Sequence, residues 1–459
     1  MELDMTKGSP LKLIIKFIIP VVLGNIFQQL YNMVDTIIVG RCVGVDALAA
    51  VGATGTISFL ILGFATGLTA GFTVITAQKF GAGDYDGMRV SVTNAVILSA
   101  IVTVLVTVVS VLGMPWLLRV MNTPDNIYQM SYEYIVTICY GLVFTILYNI
   151  MASLLRAVGN SKVPLYFLII SAFLNIALDL LFIRTFSMGV VGAALATVVA
   201  QGVSGILCVI YTVKHVKLIV PEKKHRVVDR QCMHNQLSVG LPMALQYSIT
   251  AVGTIMIQSA LNKFGSVVIA AYTAANKACQ LATLPYGALG VTMSTYAAQN
   301  RGINDIGRIK KGVSVASHIS SVYSVIIYGV AMLTLAPLMK LFIDTGSTSA
   351  PFEEILSYGR TYMFVSGTCF IPLGEIFILR NAMQGCGFSF SAMTGGIVEL
   401  ICRAIISAIA SAKMSFVGVC CGDPVTWLIT GIYFMVAYIF TLRHMEREKA
   451  AFNARKELQ

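Results

Sequence analysis

Residues 11–40 read LKLIIKFIIPVVLGNIFQQLYNMVDTIIVG. As a helix at ~1.5 Å per residue the run reaches ~45 Å, longer than the hydrocarbon core of a bilayer. Pro20 sits inside it, with Gly24 one turn on. A proline there removes a backbone hydrogen bond and bends the helix, which makes Pro20 the expected hinge. Gln28, Gln29, Tyr31, Asn32 and then Asp35 follow deeper in. A carboxylate inside a membrane segment is costly unless it is paired, protonated or facing water. The run therefore predicts a bendable spanning helix that carries an expensive acid.

The rest of the chain is built from similar runs. It has 459 residues, of which 57% are hydrophobic and 12% charged, with a mean hydropathy of +0.80. Soluble domains carry about a quarter charged residues, so this composition predicts a polytopic membrane protein in contact with a lipid bilayer. The formal net charge of +11 does not point to nucleic acid, because Lys and Arg sit in short loops and at the C-terminus. The ten cysteines are scattered through apolar runs without a C-x-x-C pair or His at ligand spacing. They read as buried small hydrophobes, with no transition-metal site. The first run is too long for a cleaved signal peptide.

Twelve spans are expected, at 11–40, 47–80, 88–115, 128–156, 163–183, 188–214, 235–263, 268–300, 308–340, 353–384, 389–412 and 416–443. One set of loops holds most of the basic residues, among them Lys79, Arg89, Lys162, the stretch from Lys214 to Arg230 and the tail from Arg443. The positive-inside rule places that set, and both termini, in the cytoplasm. The division that follows is a first six-helix bundle at 1–214, a cytoplasmic linker at 215–234, a second bundle at 235–443 and a basic cytoplasmic tail at 444–459.

The halves repeat. Pro20 to Gln78 is 58 residues and Pro242 to Gln299 is 57; Gln78 to Pro115 is 37 and Gln299 to Pro337 is 38. TAQKFGAGD matches AAQNRGIND, PWLLRVMNT matches PLMKLFIDT, and Gly159-Asn-Ser matches Gly387-Phe-Ser. Six helices per half give both copies one topology. The expected fold class is thus an all-α membrane protein with twelve transmembrane helices in two six-helix bundles, related by a pseudo-two-fold along the membrane normal, with substrate between them. Gly63, Gly67 and Gly71, four apart, predict close approach of a neighbouring helix.

Depth selects the candidate chemistry. If the first helix exits near Gly40, Asp35 lies ~8 Å below its outer end. In the fifth, Asp179 lies ~8 Å and Asn175 ~13 Å below the exit near Arg184, on one helix face. In the sixth, Thr197 lies ~13 Å below the re-entry near Met188. Two carboxylates, an amide oxygen and a hydroxyl in one slab suit Na⁺ as hard oxygen ligands. They suit a proton equally, because neighbouring carboxylates in low dielectric resist double ionisation. Two acids that merely tie a helix pair together are the structural alternative. With no basic partner at that depth, cation binding is the better reading.

The second half has no acid in its first helix, where Gln246, Tyr247 and Thr250 follow Pro242. Its charges, Glu375, Arg380, Glu399 and Arg403, balance one another and read as a structural ion-pair network, with lining of a cationic-substrate path the lesser possibility. Gln28, Tyr31, Tyr148, Asn149, Tyr247, Met256, Tyr272, Met293 and Tyr296 are candidates for the substrate path, since aromatic and Met surfaces accept bulky organic cations. Each taken alone is more often core. There is no G-x-x-x-x-G-K-[ST] phosphate loop and no clustered nucleophile and base, so neither an ATPase nor another enzyme is expected.

Together, in order, these stretches resemble the multidrug and toxic compound extrusion (MATE) family of secondary transporters over nearly the whole chain. The resemblance rests on Pro20 with MVDTIIVGRCVG and ALAAVG in the first two helices, LLRAVGNSKVP after the fourth and LNIALD in the fifth, and on GLP and QGCG in the second half. It implies a Na⁺- or H⁺-responsive site on Asp35, Asn175, Asp179 and Thr197. Branches similar to NorM carry an acid in the seventh helix near the position of Thr250. This chain is therefore more similar to the DinF- and MepA-like branch.

The expected function is efflux of organic cations and other xenobiotics by a monomeric antiporter of the bacterial inner membrane, driven by Na⁺ or H⁺ and without a cofactor. A flippase of a lipid-linked precursor is the first rival. It calls for a strongly cationic cavity, whereas the inferred one is neutral to acidic. A membrane-embedded enzyme or a receptor is the second, lacking a catalytic set or a sensor-sized loop.

Overall fold

The apolar runs become helices because a chain in hydrocarbon must satisfy its N–H and C=O groups within the segment. A computed structural model describes residues 3–121, 123–342 and 351–457, and these contain no strand. Asn122, residues 343–345 of the second repeat motif and residues 458–459 of the tail lie outside the described residues. The helices are α1 (Pro10–Cys42), α2 (Val45–Ala53), α3 (Gly55–Gly81), α4 (Tyr85–Val120), α5 (Asp125–Tyr140), α6 (Leu142–Ala157), α7 (Lys162–Asp179) and α8 (Gly189–His215). After them come α9 (Arg230–Leu261), α10 (Ser266–Gly302), α11 (Ile306–Phe342), α12 (Phe352–Gly367), α13 (Phe370–Gly385), α14 (Ser389–Ala412), α15 (Phe416–Cys420) and α16 (Gly422–Glu457).

Among the described residues nine helices are long and apolar enough to cross a membrane, and two bent pairs bring the number to eleven. Helix α10, 37 residues long but more polar, supplies the twelfth. The expected spans differ from the structure in continuity. The span 47–80 is broken at Thr54 into α2 and α3. The span 128–156 bends by 47° between α5 and α6, and 353–384 bends by 48° between α12 and α13. At the first bend a Cβ on Gly141 would lie 2.1 Å from a Val198 methyl of α8. A neighbour's side chain thus fills the place of one at the break. Helix α7 passes at Asp179 into a π-helical turn, Leu180–Thr185. Pro20 lies within the unbroken α1.

The chain forms two compact units. The first comprises Met1–Gly8, Ile15–Ser248 and Ala298–Ile303. In it α3 packs on α4 and α6, while α5, α6 and α7 pack on α8. Leu68, Phe72, Met88, Leu98, Leu154 and Leu155 form its main core. Apolar burial gives little drive between helices in lipid, so close packing through small residues does more of the work. A Cβ on Gly67 would come within 2.8 Å of the Ala244 backbone, and one on Gly71 within 2.3 Å of Gly240 Cα. The Gly63, Gly67 and Gly71 row thus receives the first half of α9, as its spacing predicted.

The same unit has a strap at its N-terminus. The Met5 N–H donates to Gln299 Oε1 at 2.8 Å, Asn300 Nδ2 donates to the Met5 carbonyl at 3.2 Å, and Gln299 Nε2 donates to the Ala157 carbonyl at 2.9 Å. Leu3 bonds to the Val158 carbonyl and lies over Gly159, whose φ of +82° and lack of a Cβ leave room for it.

The second unit comprises Ser9–Ile14, Ile249–Ala297 and Asn304–Gln459. Helix α13 packs between α11 and α16, and α14 packs on α16. Tyr286 is fully buried here and shares a 2.6 Å hydrogen bond with Ser324.

Candidate functional site: a buried acid pair

Three helices of the first unit bring the candidate residues together. Helix α1 supplies Asp35, α7 supplies Asn175 and Asp179 one turn apart, and α8 supplies Thr197. Asp179 is 0% exposed, Asn175 1% and Asp35 7%. Asn175 Nδ2 donates to Thr197 Oγ1 at 3.4 Å, a long bond. The carboxyl groups of Asp35 and Asp179 are within hydrogen-bonding reach of each other. Asp35 Oδ1, both oxygens of Asp179 and Asn175 Oδ1 are buried without a donor, and neither acid has a basic partner within 4 Å among the described residues.

Buried acceptors almost always find donors, and one left without a donor is costly. Here four buried acceptor oxygens from three residues lack one. Two carboxylates in mutual reach repel if both are charged, so the arrangement is complete only with a proton or a cation. All four atoms are hard oxygens, which suits Na⁺ and does not suit a soft metal.

The surroundings add residues that sequence reasoning missed. Tyr31, one turn before Asp35, lies within reach of Gln28 and of Gln201 of α8, and Tyr134 of α5 lies within the electrostatic reach of both acids. Gln201 follows Thr197 by one turn, so its helix face could have signalled it. Tyr134 carried no such signal. Ile38, Val39, Ile183, Val190 and Ala193 form an apolar cluster of this unit, contributed by the same helices and the π-helical turn that follows Asp179.

The other path candidates are dispersed. In the first unit Tyr148 is buried with its hydroxyl donating to the Pro164 carbonyl, Asn149 Nδ2 donates to Thr66 Oγ1, and Tyr247 lies against Gly63. In the second unit Met256 is half-buried, Tyr272 lines a cavity, and Met293 and Tyr296 are wholly enclosed, with the Tyr296 hydroxyl donating to the Arg308 carbonyl at 3.1 Å.

The charged cluster of the second unit has different members from those grouped by sequence. Glu399 lies 3.9 Å from Arg380 and 3.7 Å from Arg403, and Arg403 Nε donates to Asp423 Oδ1 at 3.0 Å. Glu375 instead accepts from Ser317 Oγ at 2.9 Å. Asp423, at the start of α16, takes the place that sequence reasoning gave to Glu375. Arg403 and Asp423 also line a cavity of about 320 Å³ together with Tyr272, Asn276, Lys277 and Tyr362.

The family model described as MatE matches residues 20–181 and 242–411. The two matches begin at Pro20 and Pro242, the residues from which the repeat was measured. The chain is 27% identical over 428 residues to a probable multidrug resistance protein, YpnP, of Bacillus subtilis, covering 93% of this chain and 94% of that one. It is 21% identical over 392 residues to the multidrug export protein MepA of Staphylococcus saprophyticus, covering 85% and 86%. A solved structure described as the outward-facing conformation of a multidrug resistance MATE family transporter of the MOP superfamily superposes with a TM-score of 0.88 at 22% identity, covering 97% of this chain and 98% of that one. With the family model spanning most of both halves and twelve helical spans in place, the chain is a member of the MATE family of multidrug efflux transporters.

Proposed function

We propose that this multi-pass membrane protein is a secondary antiporter that exports xenobiotics, organic cations among them, in exchange for Na⁺ or H⁺. The observation that carries the reading is the acid pair: Asp35 and Asp179 are buried, in mutual reach and without a basic partner. A cation entering the pair removes the repulsion and supplies the charge that the four orphaned oxygens lack. It therefore stabilises whichever state of α1 holds Asp35 against Asp179. Drug favours the other state, and Pro20 is the hinge between them. Asn175 and Thr197 complete the ligand set, while Gln28 and Gln201 orient Tyr31 beside it. Membrane location, cytoplasmic termini and a monomeric unit complete the proposal, resting on the Lys and Arg asymmetry and on the six-plus-six repeat.

Linkage supplies the test. If bound cation and drug favour different states, each weakens the other by the same factor. Drug affinity of the purified protein, measured between about pH 5 and pH 8 with and without Na⁺, should fall with acid or with Na⁺ in the wild type and respond to neither in Asp35→Asn. Insensitivity of the wild type to both ions overturns the assignment. Uptake of a fluorescent cation into inverted vesicles under separately imposed gradients then identifies the ion.

A further inference from the structure

The second unit contains a charge with no counterpart. Lys277 lies on α10, eleven residues after Ser266, or ~16 Å along the helix at ~1.5 Å per residue. Thr273, Asn276, Lys277 and Gln280 share one face of that helix and line the cavity of about 320 Å³. At ~30 Å³ per molecule in the liquid that volume equals about ten waters. Lys277 makes no hydrogen bond, ion pair or ring contact among the described residues. Lys277 is exposed on this face, so its ammonium is open to solvent in the cavity, and a charge at this position of a spanning helix marks a ligand or ion path by default.

The other charges of the cavity do not answer it. Asp423 accepts from Arg403 Nε at 3.0 Å. Arg403 is 5% exposed, and its Nη1, 3.7 Å from Glu399, is buried without a hydrogen bond. Arg380, Arg403, Glu399 and Asp423 balance one another, so Lys277 leaves the cluster one positive charge in excess. The remaining walls mix polar side chains such as Thr254, Gln258 and Thr283 with three aromatic rings. Tyr272 and Tyr362 meet edge to face at 4.7 Å, with the Tyr362 hydroxyl held by Asn276 Nδ2, and Trp427 closes the lining. Such rings could receive an organic cation, but Lys277 repels one and the carboxylate of Asp423 is already engaged.

We infer that the cavity of the second unit binds an organic anion, a flat aromatic ring bearing one carboxylate, which pairs with Lys277 and presents its ring to Tyr272, Tyr362 and Trp427. This deepens the transport reading by adding anionic compounds to the substrate class of the cavity. It does not depend on which cation drives export.

The chain has two tryptophans, so in a Trp116→Phe background the fluorescence of Trp427 reports on the cavity. Three nitroaromatic quenchers of one shape serve as probes: 4-nitrobenzoate, neutral 4-nitrobenzamide and cationic 4-nitrobenzylammonium. The full chain, purified in a neutral detergent, should bind the carboxylate most tightly and the ammonium least. Lys277→Ala should weaken 4-nitrobenzoate about fivefold or more and remove its sensitivity to salt, while leaving the amide unchanged. Lys277→Arg should retain the preference. Equal binding of the three probes, tighter binding of the ammonium, no quenching by any probe, or an equal loss of all three in Lys277→Ala each overturns the inference. In the wild type, export that responds to neither a Na⁺ nor a H⁺ gradient, with the carboxylate preference intact, counts against the antiport reading alone; ion-driven export without that preference counts against this inference alone.

Discussion

The two units handle buried acids in opposite ways. In the first, Asp35 and Asp179 face each other with no cation from the protein. In the second, Glu399 and Asp423 are met by Arg380 and Arg403 at 3.0–3.9 Å. The repeat places both sets in corresponding six-helix halves, so the surrounding fold is matched and the charge differs. A charge-balanced cluster is a fixed part of the structure, because removing one member leaves another short of a partner. An unsatisfied pair can be completed only by something that arrives and leaves, which is what coupling requires.

The sharpest way to break that contrast is neutralisation. Asp35→Asn and Asp179→Asn keep shape and remove charge, so each should insert normally and lower gradient-driven export about 100-fold, read as vesicle transport beside the yield of folded protein. Arg403→Ala should do the reverse in kind. It strands Asp423, leaves Glu399 with Arg380 alone, and should cost about 3–5 kcal/mol of stability, seen as lost yield and a lower Tm. If Arg403→Ala folds as well as the wild type, the second cluster is not structural and the contrast fails.

Two smaller effects sharpen it. Pro20→Ala restores a backbone hydrogen bond to α1 and should slow turnover severalfold while cation binding persists; unchanged rates remove Pro20 from the mechanism. Asp84, outside the spans, caps α4 through the Gly87 N–H and pairs with Lys79 at 2.8 Å. The Lys79 ammonium first, and then the Gly87 N–H, hold its carboxyl below the usual range. Its stabilisation is therefore complete above the unfolded value of about 3.9 and is lost as pH falls through the lower folded value. Asp84→Ala should cost ~1 kcal/mol at neutral pH and nothing in strong acid, by thermal melts at both.

Hydropathy made the spans legible, and a four-residue spacing made Asn175 and Asp179 legible as one face. The breaks at Thr54 and Gly141 were not; at Gly141 the neighbour that takes up the missing side chain's place, Val198, belongs to another helix. Asp423 was missed for a related reason. Its partner Arg403 is on α14, and nothing in the CCGDP segment points there. Lys277 was hidden in a helix whose polar face lowers the hydropathy that picks out the other spans. Tyr134 and Gln201 joined the site through neighbours that only the folded chain brings near.

The N-terminal strap also sets a schedule for biosynthesis. Met5 and Gln299 are 294 residues apart. A ribosome adding about 5–20 residues per second needs roughly 15–60 s to cover that distance. Through that interval the Met5 amide lacks its Gln299 acceptor, and the Ala157 carbonyl, once made, waits for the same side chain. The first unit must therefore reside in the membrane unfinished while most of α9 and α10 is still being made. A chain stopped before Gln299 should insert its early helices and remain open to proteases at its N-terminal end.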